Sequence, residues 1–453
     1  MKDLKYSNIY FIGIGGIGMS ALARYFNAKG IPVAGYDKTE TRLTQQLLQE
    51  GIDIHYEDLG DKVHQLIGNI ESTLVVITPA VPQNMKELIY LSNAGFTIQK
   101  RAHVLGRITA RYKTLAVAGT HGKTTTSTLL AHVLSSTSEK CNAFLGGISA
   151  NFNSNLLIEE DSPWMVVEAD EYDRSFHQLK PFSSIITSTD ADHLDIYKNK
   201  EALIQAFDEY GRLIDAEGKL ILHSSVKVCK DLPQLTYGIG SDLKVDYRGL
   251  NLRVEDAKFM MDVQTPTDLH QDVVLGLPGI HNAENALSVI ALCESIGLTT
   301  EEIRPALEDF KGVKRRFEVV VKNENIVYID DYAHHPTAIN ILLDSIRLIY
   351  KDTPVYLVFQ PHLFSRTQDF LDEFAHSLSK ADEVILMPIY PAREETIEGI
   401  TSEALSKLMN TKVSVQDPTQ VLDSIRNIKS GIILTVGAGD IDRLVEPIRV
   451  LLS

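Results

Sequence analysis

The sequence predicts an α/β protein of about three domains, and three observations carry that reading. A chain of 453 residues is too long for one hydrophobic core of ordinary size. Short apolar runs alternate with helical stretches almost throughout, as in parallel sheets covered on both faces. Glycine-rich turns and acidic clusters follow the apolar runs directly, where such sheets present their carboxyl ends to ligands.

The first segment, residues 1–107, has predicted strands at 8–12, 33–35 and 74–78. Its first strand runs into Gly13-Ile14-Gly15-Gly16-Ile17-Gly18, a G-x-G-x-x-G turn that opens a helix. Such a turn lets the backbone approach a pyrophosphate and seat it on the helix N-terminus. Asp37 follows the second strand, where a carboxylate could bond a ribose or a base. The turn alone leaves a nicotinamide or flavin cofactor and some other nucleotide equally open.

The second segment, residues 108–314, opens with a strand at 115–118 followed by Gly119-Thr120-His121-Gly122-Lys123-Thr124-Thr125-Thr126. This is a phosphate loop. The glycines let backbone N–H groups reach phosphate oxygens, Lys123 can reach the β and γ phosphates, and the Thr124 hydroxyl suits Mg²⁺. The loop is a shortened variant, because Val117 stands where the general pattern has its first glycine. A strand at 164–167 leads to Glu168-Ala169-Asp170-Glu171, and one at 184–187 leads to Asp190-Ala191-Asp192-His193-Leu194-Asp195. Two strand-end acidic clusters beside a phosphate loop describe a metal-assisted phosphoryl-transfer centre, in which the carboxylates of Glu168, Asp170 and Glu171 can hold Mg²⁺ and His193 is a candidate ligand for a second divalent ion. A strand at 219–222 follows, residues 245–277 read as added β-hairpins, and Gly279-Ile280-His281-Asn282-Ala283-Glu284-Asn285 opens an apolar helix to about residue 296.

The third segment, residues 315–453, places strands at 326–329, 355–359, 383–387 and 431–436. Asp330-Asp331-Tyr332-Ala333-His334-His335-Pro336 follows the first of them. Adjacent histidines rarely face one ion, so a polar substrate pocket is the better reading there. Arg366, in the segment after the next strand, can hold a carboxylate as a fork. Gly437-Ala438-Gly439-Asp440 reads equally as helix capping or as function, and Arg315-Arg316 equally as a basic hinge or as phosphate ligands. Linkers are expected near residues 107–113 and 311–315.

A formal net charge of −16 argues against nucleic acid or an anionic membrane as the partner. Cys141, Cys229 and Cys293 are far apart and read as buried thiols, neither a disulfide framework nor a zinc site. No apolar run is long enough to span a bilayer and no signal segment leads the chain, so a cytoplasmic protein is expected.

Taken in order, GIGGIGMS (13–20), GTHGKTTT (119–126), EADE (168–171), DHLD (192–195), GIHNAEN (279–285), RRFE (315–318), DDYAHHP (330–336), Gln360 to His362 and GAGDI (437–441) resemble the Mur ligases of peptidoglycan synthesis along the whole chain. The resemblance implies an N-terminal Rossmann-like domain for a UDP-sugar, a central ATPase, and a C-terminal Rossmann-like domain for an incoming amino acid. It reassigns the first turn, so that Gly15, Gly16, Ile17 and Gly18 hold the pyrophosphate of the UDP-sugar, with Asp37 near the uracil. It assigns Gly119, Thr120, His121, Gly122, Lys123, Thr124 and Thr125 to the ATP phosphates, Asn282 and Asn285 to adenine, Arg316 to the phosphates and Asp331 to the ribose. Mg²⁺ falls to Thr124, Glu168 and His193, and the amino acid to Tyr332, His334 and Arg366, with His334 orienting or deprotonating the amine.

Residues 205–209 contain no lysine where other branches carry a carbamylated one, which looks like the alanine-adding branch. Its substrates are UDP-N-acetylmuramate and L-alanine, and the protein is expected as a monomer or homodimer. Leu363 departs from the pattern, since many alanine-adding relatives have an arginine there. The alternatives are the sister ligase that attaches murein tripeptide to the same sugar, an oxidoreductase using the first glycine turn, and a nucleotide-gated binding protein without catalysis.

Overall fold

The computed structural model describes residues 6–190, 194–255, 258–392 and 394–453. Twenty-one strands among them form three sheets. The first sheet holds β1 (Asn8–Ile12), β2 (Val33–Tyr36), β3 (Asp53–His55), β4 (Thr73–Ile77) and β5 (Thr97–Lys100), all parallel, in the order β3-β2-β1-β4-β5. The order reverses between β1 and β4, which opens a crevice at the carboxyl end of β1, where the first glycine turn lies.

The second sheet comprises β6 (Lys113–Ala118), β7 (Asn142–Phe144), β8 (Leu156–Leu157), β9 (Trp164–Glu168), β10 (Ser183–Ile186), β11 (Leu220–His223), β12 (Gln234–Ile239), β13 (Tyr247–Glu255), β14 (Lys258–Gln264) and β15 (Leu269–Leu275). Their order is β15-β14-β13-β12-β11-β10-β6-β9-β7-β8. β6 pairs in parallel with both β9 and β10, so the segments leaving these three strands emerge side by side. The hairpins expected at 245–277 are the antiparallel extension β13-β14-β15.

The third sheet, in the order β16-β17-β21-β18-β19-β20, contains β16 (Glu318–Lys322), β17 (Ile326–Asp331), β18 (Val355–Phe359), β19 (Glu383–Leu386), β20 (Lys412–Val415) and β21 (Gly431–Val436). Only β16 runs antiparallel. Its central strands are buried on both faces: Ile329, Leu357 and Leu434 belong to one core, and Tyr328, Val358 and Ile433 to the other. That is why they read as continuous apolar runs. All three cysteines are buried free thiols. Among the described residues, no helix is long and apolar enough to cross a membrane.

The chain divides into two compact bodies, one of residues up to Leu277 with His281–Lys311, the other of Pro278–Ile280 with Gly312–Ser453. The division falls at the second expected linker. Within the first body the first and second sheets close on a shared core, in which Phe11, Leu22 and Phe26 pack with Ala116, Phe144 and Val167. The rings of Tyr25 and Phe144 lie 5.4 Å apart across this seam.

Asn155 fastens the seam. Fully buried, it accepts a hydrogen bond from Arg24 Nη1 at 2.5 Å and donates to the Ile17 carbonyl at 2.7 Å and to Ser20 Oγ at 2.9 Å, all on the helix Ile17–Ala28. Asn155→Ala removes these three bonds while Arg24 keeps Glu50 and Ser20 keeps the Ile17 carbonyl, so a total loss of about 1–3 kcal/mol is expected. Urea unfolding is expected to show that loss in the first body, with m unchanged.

Candidate active site

The phosphate loop is shaped by its neighbours as much as by its glycines. Gly119 has φ +127°, and a Cβ there would lie 2.1 Å from Thr187 Oγ1 and 2.8 Å from the Ser188 amide nitrogen. Gly122 has φ +82° and caps the helix Lys123–Ser135 in the left-handed conformation. Neither position tolerates a side chain. The segment leaving β10 braces the loop. The Thr187 amide donates to the Ala118 carbonyl at 3.0 Å, and its hydroxyl donates to the His121 carbonyl. Ser188 Oγ accepts from the His121 amide at 2.9 Å and bonds Thr120 Oγ1 at 2.8 Å, while the Ser188 carbonyl accepts from the Thr120 amide at 3.2 Å. The sequence reading missed Ser188; its available signal was a Thr-Ser pair leaving a strand adjacent to the loop's own.

Lys123 folds back over this loop. Its ammonium donates to the Gly119 carbonyl at 2.7 Å and to Glu171 Oε1 and Oε2 at 2.9 and 2.8 Å. Burial works against the charge on Lys123, but Glu171, Glu168 and Asp170 outweigh it and leave its pKa above the ordinary value. Glu171 is wholly buried, and burial pushes its carboxyl upward against the pull of Lys123.

The three acids at the end of β9 therefore part company, where the sequence reading offered all of them to a metal. Glu168 alone is set in a carved space, because a Cβ on Gly146 would lie 1.8 Å from its Oε2. Asp170 accepts from the Tyr172 amide at 3.1 Å and stands 3.8 Å from Arg101. Glu171 turns in to Lys123. The segment then passes through Asp173 and Arg174 at φ +51° and +52°, a left-handed pair that costs of order 1–3 kcal/mol per residue. Surrounding contacts hold it. Lys100 reaches Asp173 at 2.7 Å, the Arg174 guanidinium sits 5.6 Å over the Tyr197 ring, and the Tyr197 hydroxyl donates to the Glu171 carbonyl at 2.5 Å.

Thr124, on the first turn after the loop, is buried. His193, the remaining predicted metal ligand, lies outside the described residues together with Asp192. Asn282 and Asn285 line a cleft beside the loop with Thr125, Gly276 and Phe310, and Asn285 Oδ1 lies 3.1 Å from where a Cβ on Gly122 would be.

At the crevice of the first sheet, Asp37 braces the glycine turn, accepting from the Gly15 amide at 2.8 Å and the Thr39 amide at 3.1 Å. Gly15 leaves room for this, since a Cβ there would meet Asp37 Oδ2 at 2.8 Å. The helix Ile17–Ala28 has no acidic residue in its first turn, and a Cβ on Gly18 would lie 2.8 Å from Arg101 Nη1. Arg101, which the sequence reading also missed, thus sets a guanidinium at the positive end of that helix.

In the second body, the segments leaving β17, β18 and β21 come together by the order of the sheet. The guanidinium groups of Arg315 and Arg316 sit 5.2 and 5.0 Å over the Tyr332 ring. The His334 ring stands edge-on to Tyr332 at 5.3 Å and 6.0 Å from His362, whose Nδ1 is 3.3 Å from Arg366 Nη1. His334 Nδ1 lies 2.9 Å from the Tyr332 carbonyl. A carbonyl only accepts, so Nδ1 carries the proton and Nε2 the lone pair. Burial, then the Arg366 charge, lowers the His334 pKa from 6.5 to about 3. His335 goes elsewhere: it caps the helix Pro336–Ile349 and packs 4.6 Å from Phe370.

Asp331 accepts from the Phe317 amide at 2.6 Å and the Ala333 amide at 2.7 Å. Leu363, at φ +73°, stores strain of order 1–3 kcal/mol next to the pocket. Gln360 is structural: it donates to Asp440 at 2.7 Å and accepts from the Ile441 amide at 2.9 Å, tying the GAGD turn to the strand beside it.

Three family models cover the chain in order: Mur ligase family, catalytic domain, at residues 8–113; Mur ligase middle domain at 117–293; and Mur ligase, glutamate ligase domain, at 315–439. The chain belongs to the Mur ligase family. It is 45% identical over 452 residues to a protein of Phocaeicola vulgatus and 47% identical over 451 residues to one of Flavobacterium johnsoniae, with 98% of each chain covered in both comparisons. Both relatives are named UDP-N-acetylmuramate–L-alanine ligase. Among solved structures, the UDP-N-acetylmuramate–alanine ligase of Thermotoga maritima matches with a TM-score of 0.85 at 30% identity, over 97% of this chain and 98% of that one. A murein peptide ligase from Psychrobacter arcticus shares the fold, with a TM-score of 0.71 at 24% identity and 98% of both chains covered.

In this Mur ligase, loop and brace together offer ordered backbone donors and an ammonium to a polyphosphate. The second body offers a neutral imidazole between the rings of Tyr332 and His362. Two outcomes follow. Ser188→Ala removes the acceptor of the His121 amide and is expected to weaken ATP binding about tenfold, roughly the 1.4 kcal/mol of one hydrogen bond, measured by titration calorimetry. His334, neutral when folded, takes up a proton near its ordinary pKa only when unfolded, so stability of the second body falls as pH drops below 6.5 and levels near 3. His334→Gln is expected to flatten that fall in urea titrations run between pH 7 and 4.

Proposed function

We propose that this Mur ligase joins L-alanine to the lactyl carboxylate of UDP-N-acetylmuramate, converting ATP to ADP and phosphate, in the making of peptidoglycan precursor. The observation that carries this is the meeting of a lysine-bearing phosphate loop with a strand-end carboxylate at the adjoining ends of β6, β9 and β10. Near-full-length identity of 43–47% to relatives named for that reaction supports the choice of substrates.

In the first half-reaction a lactyl carboxylate oxygen attacks the γ-phosphorus of ATP, the bond to the β-phosphate oxygen breaks, and ADP leaves. Lys123 and the loop amides from Gly119 to Thr125 stabilise the charge spread over the transferred group. Asn282 and Asn285 are assigned to the adenine, and the family resemblance gives Arg316 to the ATP phosphates and Asp331 to the ribose. Gly16, Ile17 and Gly18, with the helix they open, seat the sugar pyrophosphate; Gly15 and Asp37 keep the turn in shape and set the uracil side.

In the second half-reaction the amine of alanine attacks the acyl phosphate carbonyl, the carbon–oxygen bond to phosphate breaks, and inorganic phosphate leaves. Tyr332 and Arg366 orient the amino acid, and His334 Nε2 takes the proton that the nitrogen sheds. Thr124, Glu168 and His193 would hold Mg²⁺: hydroxyl and carboxylate oxygens suit that hard cation, and the missing Cβ of Gly146 leaves the Glu168 carboxylate its space. When bound, the ion neutralises phosphate charge. The reading divides the chain into working domains at 1–107, 108–314 and 315–453, and places the enzyme in the cytoplasm without membrane insertion.

Phosphate release with UDP-N-acetylmuramate and ATP, measured without acceptor and with L-alanine, L-serine, glycine or murein tripeptide, tests the proposal. Release in step with amide formation is expected with L-alanine, whereas a preference for tripeptide transfers the chain to the sister reaction. His334→Ala is expected to keep ATP affinity within twofold while lowering kcat at least 100-fold, the usual contribution of a proton acceptor. Parallel loss of both would remove His334 from that role.

A further inference from the structure

Glu171 is the last of the three acids at the end of β9, and its carboxylate is turned onto Lys123. Its carboxylate is wholly buried and meets the Lys123 ammonium through both oxygens, at 2.9 and 2.8 Å, while the Gly119 carbonyl takes the third proton at 2.7 Å. An ammonium on a four-carbon stem is otherwise free to swing, and three acceptors around one nitrogen remove that freedom. Main-chain contacts hold the acid as well. Its carbonyl accepts from the Tyr197 hydroxyl at 2.5 Å and from the Arg174 amide at 2.9 Å, and the left-handed pair Asp173 and Arg174 lies two residues on.

We infer that Glu171 is the positioning residue for the phosphate-loop lysine, fixing Nζ above the loop so that the cation stands ready where the transferred phosphoryl group develops charge. This deepens the ATP-dependent reading of the same site and rests on it. A preset charge costs no reorganisation during phosphoryl transfer, so the residue acts on the nucleotide step and leaves the sugar site alone.

The test compares Glu171→Gln and Glu171→Asp with the unchanged protein in steady-state phosphate release, alongside ATP titration calorimetry with and without Lys123→Met. Glu171→Gln should lower kcat/KM for ATP at least tenfold and leave KM for UDP-N-acetylmuramate within twofold. Glu171→Asp, which keeps the charge and shortens its reach, should fall between. In the Lys123→Met background, adding Glu171→Gln should change ATP affinity less than twofold, because the group it positions is gone. Equal losses in both backgrounds, an equal rise in KM for the sugar, or wild-type kinetics for Gln would each overturn the inference. Should the Gln variant fail to fold, the Asp variant decides: a fivefold or greater loss in kcat/KM for ATP supports the assignment, and unchanged kinetics overturn it. Absence of phosphate release from the unchanged protein would instead sink the ligase reading, so the two failures are distinguishable.

Discussion

A lysine ammonium drawn below the surface and held by a buried carboxylate is the constraint around which the middle of this molecule is arranged. Two charges out of water are tolerable only when geometry satisfies both. Here that requirement explains the left-handed pair after Glu171, the Tyr197 bond to its carbonyl, and the close brace of Thr187 and Ser188 against Gly119. The loop is braced on two sides, by Thr187 and Ser188 and by the Lys123–Glu171 pair.

The same logic recurs in the second body with the opposite chemistry. There an imidazole is kept uncharged by burial and by the cationic Arg366, and its tautomer is set by the Tyr332 carbonyl. One body thus holds a fixed positive charge and the other a fixed lone pair. Both groups stand on segments leaving buried parallel strands, where a rigid sheet controls their position.

Much of this was legible in the residues, for identifiable reasons. Central strands such as β6, β9, β18 and β21 are buried on both faces, so they appear as uninterrupted apolar runs and were placed within a residue or two. Strands such as β3, of three residues, and β5, Thr-Ile-Gln-Lys, escaped because they are short or polar and owe their form to pairing with β2 and β4. The glycine turns and phosphate loop were readable because their backbone geometry admits few residues. The partition of EADE was not: three acids within four positions look alike until their contacts are known, with Glu168 against Gly146, Asp170 beside Arg101 and Glu171 on Lys123. Arg101 and Ser188 were missed for a related reason, since each acts on a loop far from it in sequence, Arg101 across 83 positions from Gly18 and Ser188 across 67 from His121.

The seam fastened by Asn155 bears on how such a chain can be recombined. The first and second sheets share one interior, so grafting a foreign first sheet would require rebuilding Phe144, Val167 and the Asn155 contacts together. The second body keeps its own cores on the two faces of the third sheet, so its replacement would leave that seam intact.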